Sequence, residues 1–181
     1  FERENTMQSK KVTKIDLSRN LLLYYVAIGV IIIGDGPERD ELKSLTKSLG
    51  ISSRVYFAVG VSEDEKWKLM SSSDVFCLPS YPLDTGQIEG FGIVLLEASA
   101  SGLPVIATRA GGMIDVVKHE ETGLLFEIKN VRQLKNCILK LLKDYELRAK
   151  VIINAKKQIE KKYNWNSIAK TMISRWYGAS S

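Results

Sequence analysis

Apolar and polar positions alternate in blocks along this chain. Val26-Ala27-Ile28-Gly29-Val30-Ile31-Ile32-Ile33 is a continuous β-branched run, the pattern of a strand buried on both faces. It stops at Gly34-Asp35-Gly36-Pro37, and Pro37 suits the first turn of a helix. Residues 38–49 then carry apolar positions at helical spacing, up to a C-capping Gly50. Residues 54–57 predict a short strand. Ser62, with Glu65 three positions on, predicts a capped helix start. Residues 74–78 predict another strand, closed by Pro79-Ser80. A polar loop from Tyr81 to Glu89 leads into a helix predicted over Phe91 to Ser101, stopping at Gly102. Residues 104–107 and 123–126 predict two more strands, with a short helix after Gly111-Gly112 between them. From Asn130 the periodicity is helical to the end.

Strands that alternate with helices at this spacing imply an α/β fold: a Rossmann-like parallel sheet with helices on both faces. We read the chain as one domain, with a Rossmann-like core over about residues 1–128 and a helical C-terminal cap over 129–181. Such folds bind ligands beyond the carboxyl ends of their strands. The loops Gly34–Pro37, Tyr81–Gly92 and Arg109–Gly112 are expected to line that edge.

Composition adds little to this: 45% hydrophobic and 26% charged residues over 181 positions are ordinary for a globular domain. The apolar stretch from Leu21 to Ile33 is too short to span a bilayer convincingly. Phe1-Glu2-Arg3-Glu4 lacks both an initiator Met and the order of a signal peptide, so the chain reads as an excised piece. Cys77 and Cys137 sit in apolar surroundings and read as buried free thiols, which suits a reducing, cytoplasmic setting. The net charge of +5 is uneven: Lys129 to Ser181 carries +10 and the remainder −5. A basic terminal block can meet nucleic acid, anionic lipid or phosphorylated ligands, or can be a solvated helix face.

Chemistry concentrates in "EGFGIVLLEA", residues 89–98. A helix opening near Phe91 presents unpaired N–H groups and a positive pole, and Gly90 and Gly92 let a ligand approach the backbone. That is a seat for phosphate. Glu89 stands just outside it, and Glu97 about 9 Å along the helix axis. A sugar and a ribose joined by a diphosphate fit these dimensions, because carboxylates accept hydrogen bonds from vicinal hydroxyls. The alternative is one acid favoured by the helix pole and one facing solvent. Gly34-Asp35-Gly36 offers a weaker, dinucleotide-like pattern, but Arg39 stands where its third glycine would be.

"EGFGIVLLEA" resembles the E-x7-E motif of family 4 glycosyltransferases, a retaining group with the GT-B fold. "GDGPERDELKSL", "VYFAVGVSEDEKWKLMSSSDVFCLPS", "EASASGLPVIATRAGGMIDVV" and "ETGLLFE" resemble the carboxyl-terminal domain of that family, in order. The resemblance implies that Glu89 contacts the donor sugar as the catalytic residue. Gly90, Phe91, Gly92, Ile93 and Val94 would offer amides to sugar and phosphate, and Glu97 would bind ribose. Val61 and Lys66 would face the base, and Gly111 and Gly112 would line the same cleft. The family's basic pair for the diphosphate is not matched here, and Lys14 is the nearest choice.

The resemblance further implies transfer of a hexose such as mannose or glucose from a GDP- or UDP-sugar, with retention and without a cofactor or metal. His119 is the single histidine, expected in a surface turn, and the chain has no Asp-x-Asp pair. The acceptor would be bound by an amino-terminal domain of the same enzyme, so this chain alone would transfer little. Peripheral contact with an anionic membrane is expected at Lys156, Lys157, Lys161 and Lys162, and no nucleic-acid partner. Two rivals remain: a Rossmann-type oxidoreductase domain, and a non-catalytic interaction module using the basic face.

Overall fold

A computed structural model describes residues 28–80 and 92–163. The chain divides into two compact units, Phe1–Ala58 and Val59–Ser181.

In the first unit, strands β1 (Val30–Ile33) and β2 (Val55–Ala58) pair in parallel, with Val30 opposite Val55 and Ile33 opposite Ala58. Helix α1 (Arg39–Ser48) connects them through a 3-10 turn over Ser52–Arg54. The helix ends as the sequence predicts. Gly50 has φ +66°, its N–H bonds to the Lys47 carbonyl, and the Ile51 N–H bonds to that of Thr46. This is a Schellman motif, which satisfies carbonyls the helix leaves open. Two expectations are corrected. Pro37 lies before the Glu38 cap, in a turn closed by the Arg39 N–H on Gly36 O, so it does not open the helix. The β-branched run is not buried on both faces: Val30, Ile31 and Ile33 are 44%, 38% and 38% exposed. Among the described residues of this unit, one strand partner and one helix are too few to cover both faces.

The second unit holds a parallel sheet in the order β3 (Phe76–Leu78), β4 (Val105–Thr108), β5 (Leu124–Phe126). Strand residues alternate between faces with period two, and the core splits accordingly. Val105, Ala107 and Leu125 pack with Met70, Leu95, Ala98, Met113 and Val116 on one side. Those residues come from α2 (Glu63–Ser71), α3 (Ile93–Ala100) and α4 (Met113–Val116). Ile106, Leu124 and Phe126 pack with Cys137, Leu141, Leu147 and Val151 on the other. These belong to α5 (Val131–Lys143) and α6 (Tyr145–Lys162). Helices thus cover both faces of this parallel sheet, as the sequence predicts.

The helical tract after Asn130 is not continuous. Asp144 leaves the helical region, and its carboxylate accepts the Leu147 N–H as the N-cap of α6. Asn130 caps α5 in the same way through the Gln133 N–H. Cys77 and Cys137 are free thiols within the α5/α6 side of the core.

Candidate functional site

Because the three strands of the second unit are parallel, the segments leaving their carboxyl ends emerge along one edge. Helix α3 begins on that edge, and its start differs from the expectation. Gly92 is the N-cap, with φ 67° and ψ 50° in the left-handed region. That conformation cannot be helical, so the helix opens at Ile93 rather than Phe91. Glu97 is therefore only four residues in, about 6 Å along the axis rather than about 9 Å. Among the described residues no side chain caps the start of α3, and Ile93 is exposed there. Gly92 is buried against the end of β3: a β-carbon on it would lie 3.4 Å from Leu78 Cδ2 and 3.0 Å from Leu95 Cδ1.

Helix α2 supplies the next group. The predicted capping box is present: the Ser62 hydroxyl accepts the Glu65 N–H, and the Glu65 carboxylate accepts the Ser62 N–H. The Ser62 N–H and then the Ser62 hydroxyl, both donating to that carboxylate, hold its pKa below the usual value. This fixed first turn sets Glu63 and Lys66 on one helix face. Lys66 Nζ lies 2.7 Å from Glu63 Oε2 and 3.1 Å from Glu97 Oε2. The hydrogen bonds to Glu63 and then Glu97 raise the ammonium pKa above its usual value. Nζ also lies 5.4 Å from the Trp67 ring centroid.

The structure thus joins two residues that the sequence singles out, Lys66 and Glu97, across 31 positions. Glu63 and Trp67 were not singled out. Glu63 could have been found from its i, i+3 spacing to Lys66 behind a recognised cap. Val61 immediately precedes that cap. Gly111 has φ 51° and Gly112 is the N-cap of α4, at the carboxyl end of β4. On the same edge the Arg109 guanidinium is held by Glu127 Oε1 at 2.9 Å. Lys14, Glu89, Gly90 and Phe91 lie outside the described residues.

Other polar groups have structural partners. His119 Nδ1 accepts the Leu125 N–H at 3.0 Å, which places the proton of a neutral ring on Nε2. Glu120 pairs with Lys140. In the first unit Asp35 accepts the Gly36 N–H and pairs with Arg39, so that strand-to-helix turn is closed on itself. Among the described residues no group of three or more His, Cys, Asp or Glu could hold a metal ion. No described helix is long and apolar enough to cross a membrane.

Comparison with known proteins gives this edge a context. Residues 16–158 match the family of glycosyl transferases group 1. An uncharacterized glycosyltransferase of Methanocaldococcus jannaschii is 37% identical over 145 residues, 80% of this chain and 36% of that protein. A GDP-mannose-dependent α-(1-6)-phosphatidylinositol monomannoside mannosyltransferase of Mycobacterium tuberculosis is 33% identical over 77% of this chain and 37% of its own length. The chain thus spans little more than a third of these relatives. Among solved structures, Anabaena HepE in complex with UDP superposes with a TM-score of 0.70 at 27% identity, covering 83% of this chain and 41% of that one.

Proposed function

The chain belongs to the group 1 glycosyl transferases, and on that premise we propose that it is the nucleotide-sugar-binding half of a retaining hexosyltransferase. The whole enzyme moves a hexose such as mannose or glucose from a nucleoside diphosphate to an acceptor hydroxyl. The observation that carries this reading is the opening of α3. A left-handed, buried Gly92 is the N-cap of α3, and Glu97 stands one turn into the helix. Amides at a helix start are suited to phosphate oxygens, and a fixed carboxylate to ribose hydroxyls. The binding of UDP by HepE, a protein of the same fold, supports a nucleotide donor.

In this reading the amides of Ile93 and Val94 hold the diphosphate, and Glu97 holds the ribose. Val61 lies on the base side, Lys66 stands beside Glu97, Gly111 and Gly112 line the cleft, and Glu89 in the preceding loop faces the sugar. As the glycosidic bond breaks, negative charge grows on the departing diphosphate. A helix pole and basic side chains such as Lys14 stabilise that charge without a metal ion. An amino-terminal domain of the same enzyme binds the acceptor, so residues 1–181 bind donor and transfer little.

We also place the enzyme in the cytoplasm, at the inner surface of a membrane. Two observations favour this. Lys156, Lys157, Lys161 and Lys162 are all exposed on α6, and the mycobacterial relative is named for a phosphatidylinositol-linked acceptor.

A thermal-shift panel tests the donor assignment, because a ligand that binds only the folded state raises apparent stability. UDP-glucose and GDP-mannose are compared with reduced nicotinamide cofactor. A rise with a nucleotide-sugar supports the proposal. A rise with the nicotinamide cofactor alone supports the oxidoreductase rival, and no rise with any of them overturns both.

A further inference from the structure

Glu97 does not stand free in the described structure. One of its oxygens, Oε2, accepts a hydrogen bond from Lys66 Nζ at 3.1 Å. The same ammonium is 2.7 Å from Glu63 Oε2. The lysine and Glu97 side chains are 18% and 29% exposed, whereas Glu63 is 78% exposed. Two carboxylates on one ammonium leave a net charge of one negative. The arrangement is rigid at its base, since the Ser62–Glu65 box fixes the turn from which Glu63 and Lys66 project. Lys66 therefore reaches Glu97 from a tethered position, and two of its three donors are already committed to carboxylates.

We propose that Lys66 is a positioning residue: it clamps Glu97 by Oε2 and presents Oε1 to the ribose hydroxyls, while Glu63 steadies the clamp. This deepens the nucleotide-sugar reading and rests on it. A free glutamate loses rotamer freedom when a ligand arrives, and that loss weakens binding. A glutamate already held by a lysine loses less. A single opposing cation would also neutralise the carboxylate. Sharing the ammonium with Glu63 keeps the cluster anionic and keeps Oε1 a strong acceptor. Lys66 thus acts through Glu97, not through the base that its sequence position suggests.

Binding of UDP and GDP to the full chain and to Lys66→Met, measured by calorimetry, is compared with binding of their 2′,3′-dideoxy analogues. If Lys66 works through Glu97 and the ribose hydroxyls, K66M weakens the preferred ribonucleotide by about three- to tenfold. It then leaves the dideoxy analogue unchanged, and in a Glu97→Gln background it has no further effect. Lys66→Arg, which keeps a cation at the clamp, restores at least part of the loss. Glu63→Gln produces a smaller loss of the same ligand-dependent kind. A K66M loss that is equal for ribose and dideoxy ligands, or that adds in full to that of E97Q, overturns the clamp while leaving the donor site intact. The same holds if K66M binds the ribonucleotide as tightly as the unaltered chain does. If the unaltered chain binds neither UDP nor GDP, the donor reading itself fails and the clamp fails with it.

Discussion

A β-carbon built on Gly123 would lie 2.7 Å from both Cγ2 and the carbonyl oxygen of Val105. The Gly123 backbone also closes the turn before β5, its carbonyl accepting the Glu120 N–H. Val105 is itself buried in the core, so it has nowhere to retreat. Gly123→Ala is therefore expected to lower stability by about 1–3 kcal/mol, the usual cost of forcing a methyl into a packed site. Urea unfolding should show a lower midpoint at an unchanged slope. An unchanged midpoint would mean that β4 and β5 can separate without cost.

Gly92 and Gly102 stand at opposite ends of α3, and both have positive φ, 67° and 85°. Alanine in either place adopts a left-handed conformation at a cost of about 1–2 kcal/mol. Their surroundings differ. A methyl at Gly92 presses on Leu95 and Leu78, whereas one at Gly102 meets, among the described residues, the flexible tip of Lys156. Relief at Gly92 requires moving the start of the helix. Gly92→Ala should therefore weaken nucleoside diphosphate binding beyond its effect on stability, and Gly102→Ala should lower stability alone. Calorimetry and thermal melts on both variants check this. Equal binding losses would remove the phosphate seat from the start of α3.

Glu97→Ala should weaken binding of the plain nucleoside diphosphate. Glu89→Ala should spare the diphosphate and reduce discrimination among nucleotide-sugars. Loss of a hydrogen bond to a charged partner costs about 1.5–3 kcal/mol, roughly 10- to 150-fold in affinity. Titration with the diphosphate alone and with the full sugar donor separates the two roles. If both variants lose the diphosphate equally, the division of labour is wrong.

Local signals were legible in the sequence where both partners lie within a few residues. The Ser62–Glu65 box and the glycine stops at Gly50 and Gly102 are of this kind, because capping chemistry acts over three to six positions. The strands were legible as short apolar runs bounded by turn residues. The start of α3 was not, because Gly92 can be helical or left-handed and its packing against Leu78 decides between them. The Lys66–Glu97 contact was legible only as two separate candidates, since it depends on how α2 and α3 pack. The break at Asp144 was hidden by apolar periodicity that continues through it. The exposure of β1 was not legible either, since a β-branched run reports strand propensity and not how many neighbours the strand acquires.

Cys77 gives a pH prediction. Burial pushes its thiol up to about 11, while an unfolded cysteine titrates near 8.5. Between those values the unfolded chain loses a proton that the folded chain keeps. Stability from this group is thus complete below about pH 8.5 and is lost as pH rises toward 11. At about 1.4 kcal/mol per pH unit the full loss comes to about 3.5 kcal/mol. Cys77→Val, which removes this thiol and leaves Cys137 as the other core thiol, should reduce the alkaline slope of the stability curve in urea titrations from pH 8 to 10.5. A slope that is unchanged in C77V would assign the alkaline loss to other groups.

The basic face of α6 gives the last prediction. Val151 and Ala155 are buried, and Ile152 and Ile159 are partly buried, so the helix packs by one stripe. Lys156, Lys157, Lys161 and Lys162 fall outside that stripe and are exposed. The face is also tied down: Gln158 donates to the Val116 carbonyl at 2.7 Å, and Asn154 to that of Glu121 at 3.0 Å. Its lysines therefore project from a helix that cannot roll to hide them. Near an anionic bilayer each adds about 1 kcal/mol of attraction, which fades within a Debye length of about 10 Å at 0.1 M salt. Four such charges hold a protein at a surface reversibly, without any spanning segment. Co-sedimentation with phosphatidylserine vesicles should be strong at low salt and weak at 0.5 M, and absent with neutral phosphatidylcholine. Changing all four lysines to glutamine should abolish it while leaving nucleoside diphosphate affinity unchanged, because Glu97 and the start of α3 take no support from these side chains. Failure to bind anionic vesicles at low salt would leave the lysines as a solvated face and remove the membrane from the proposed function.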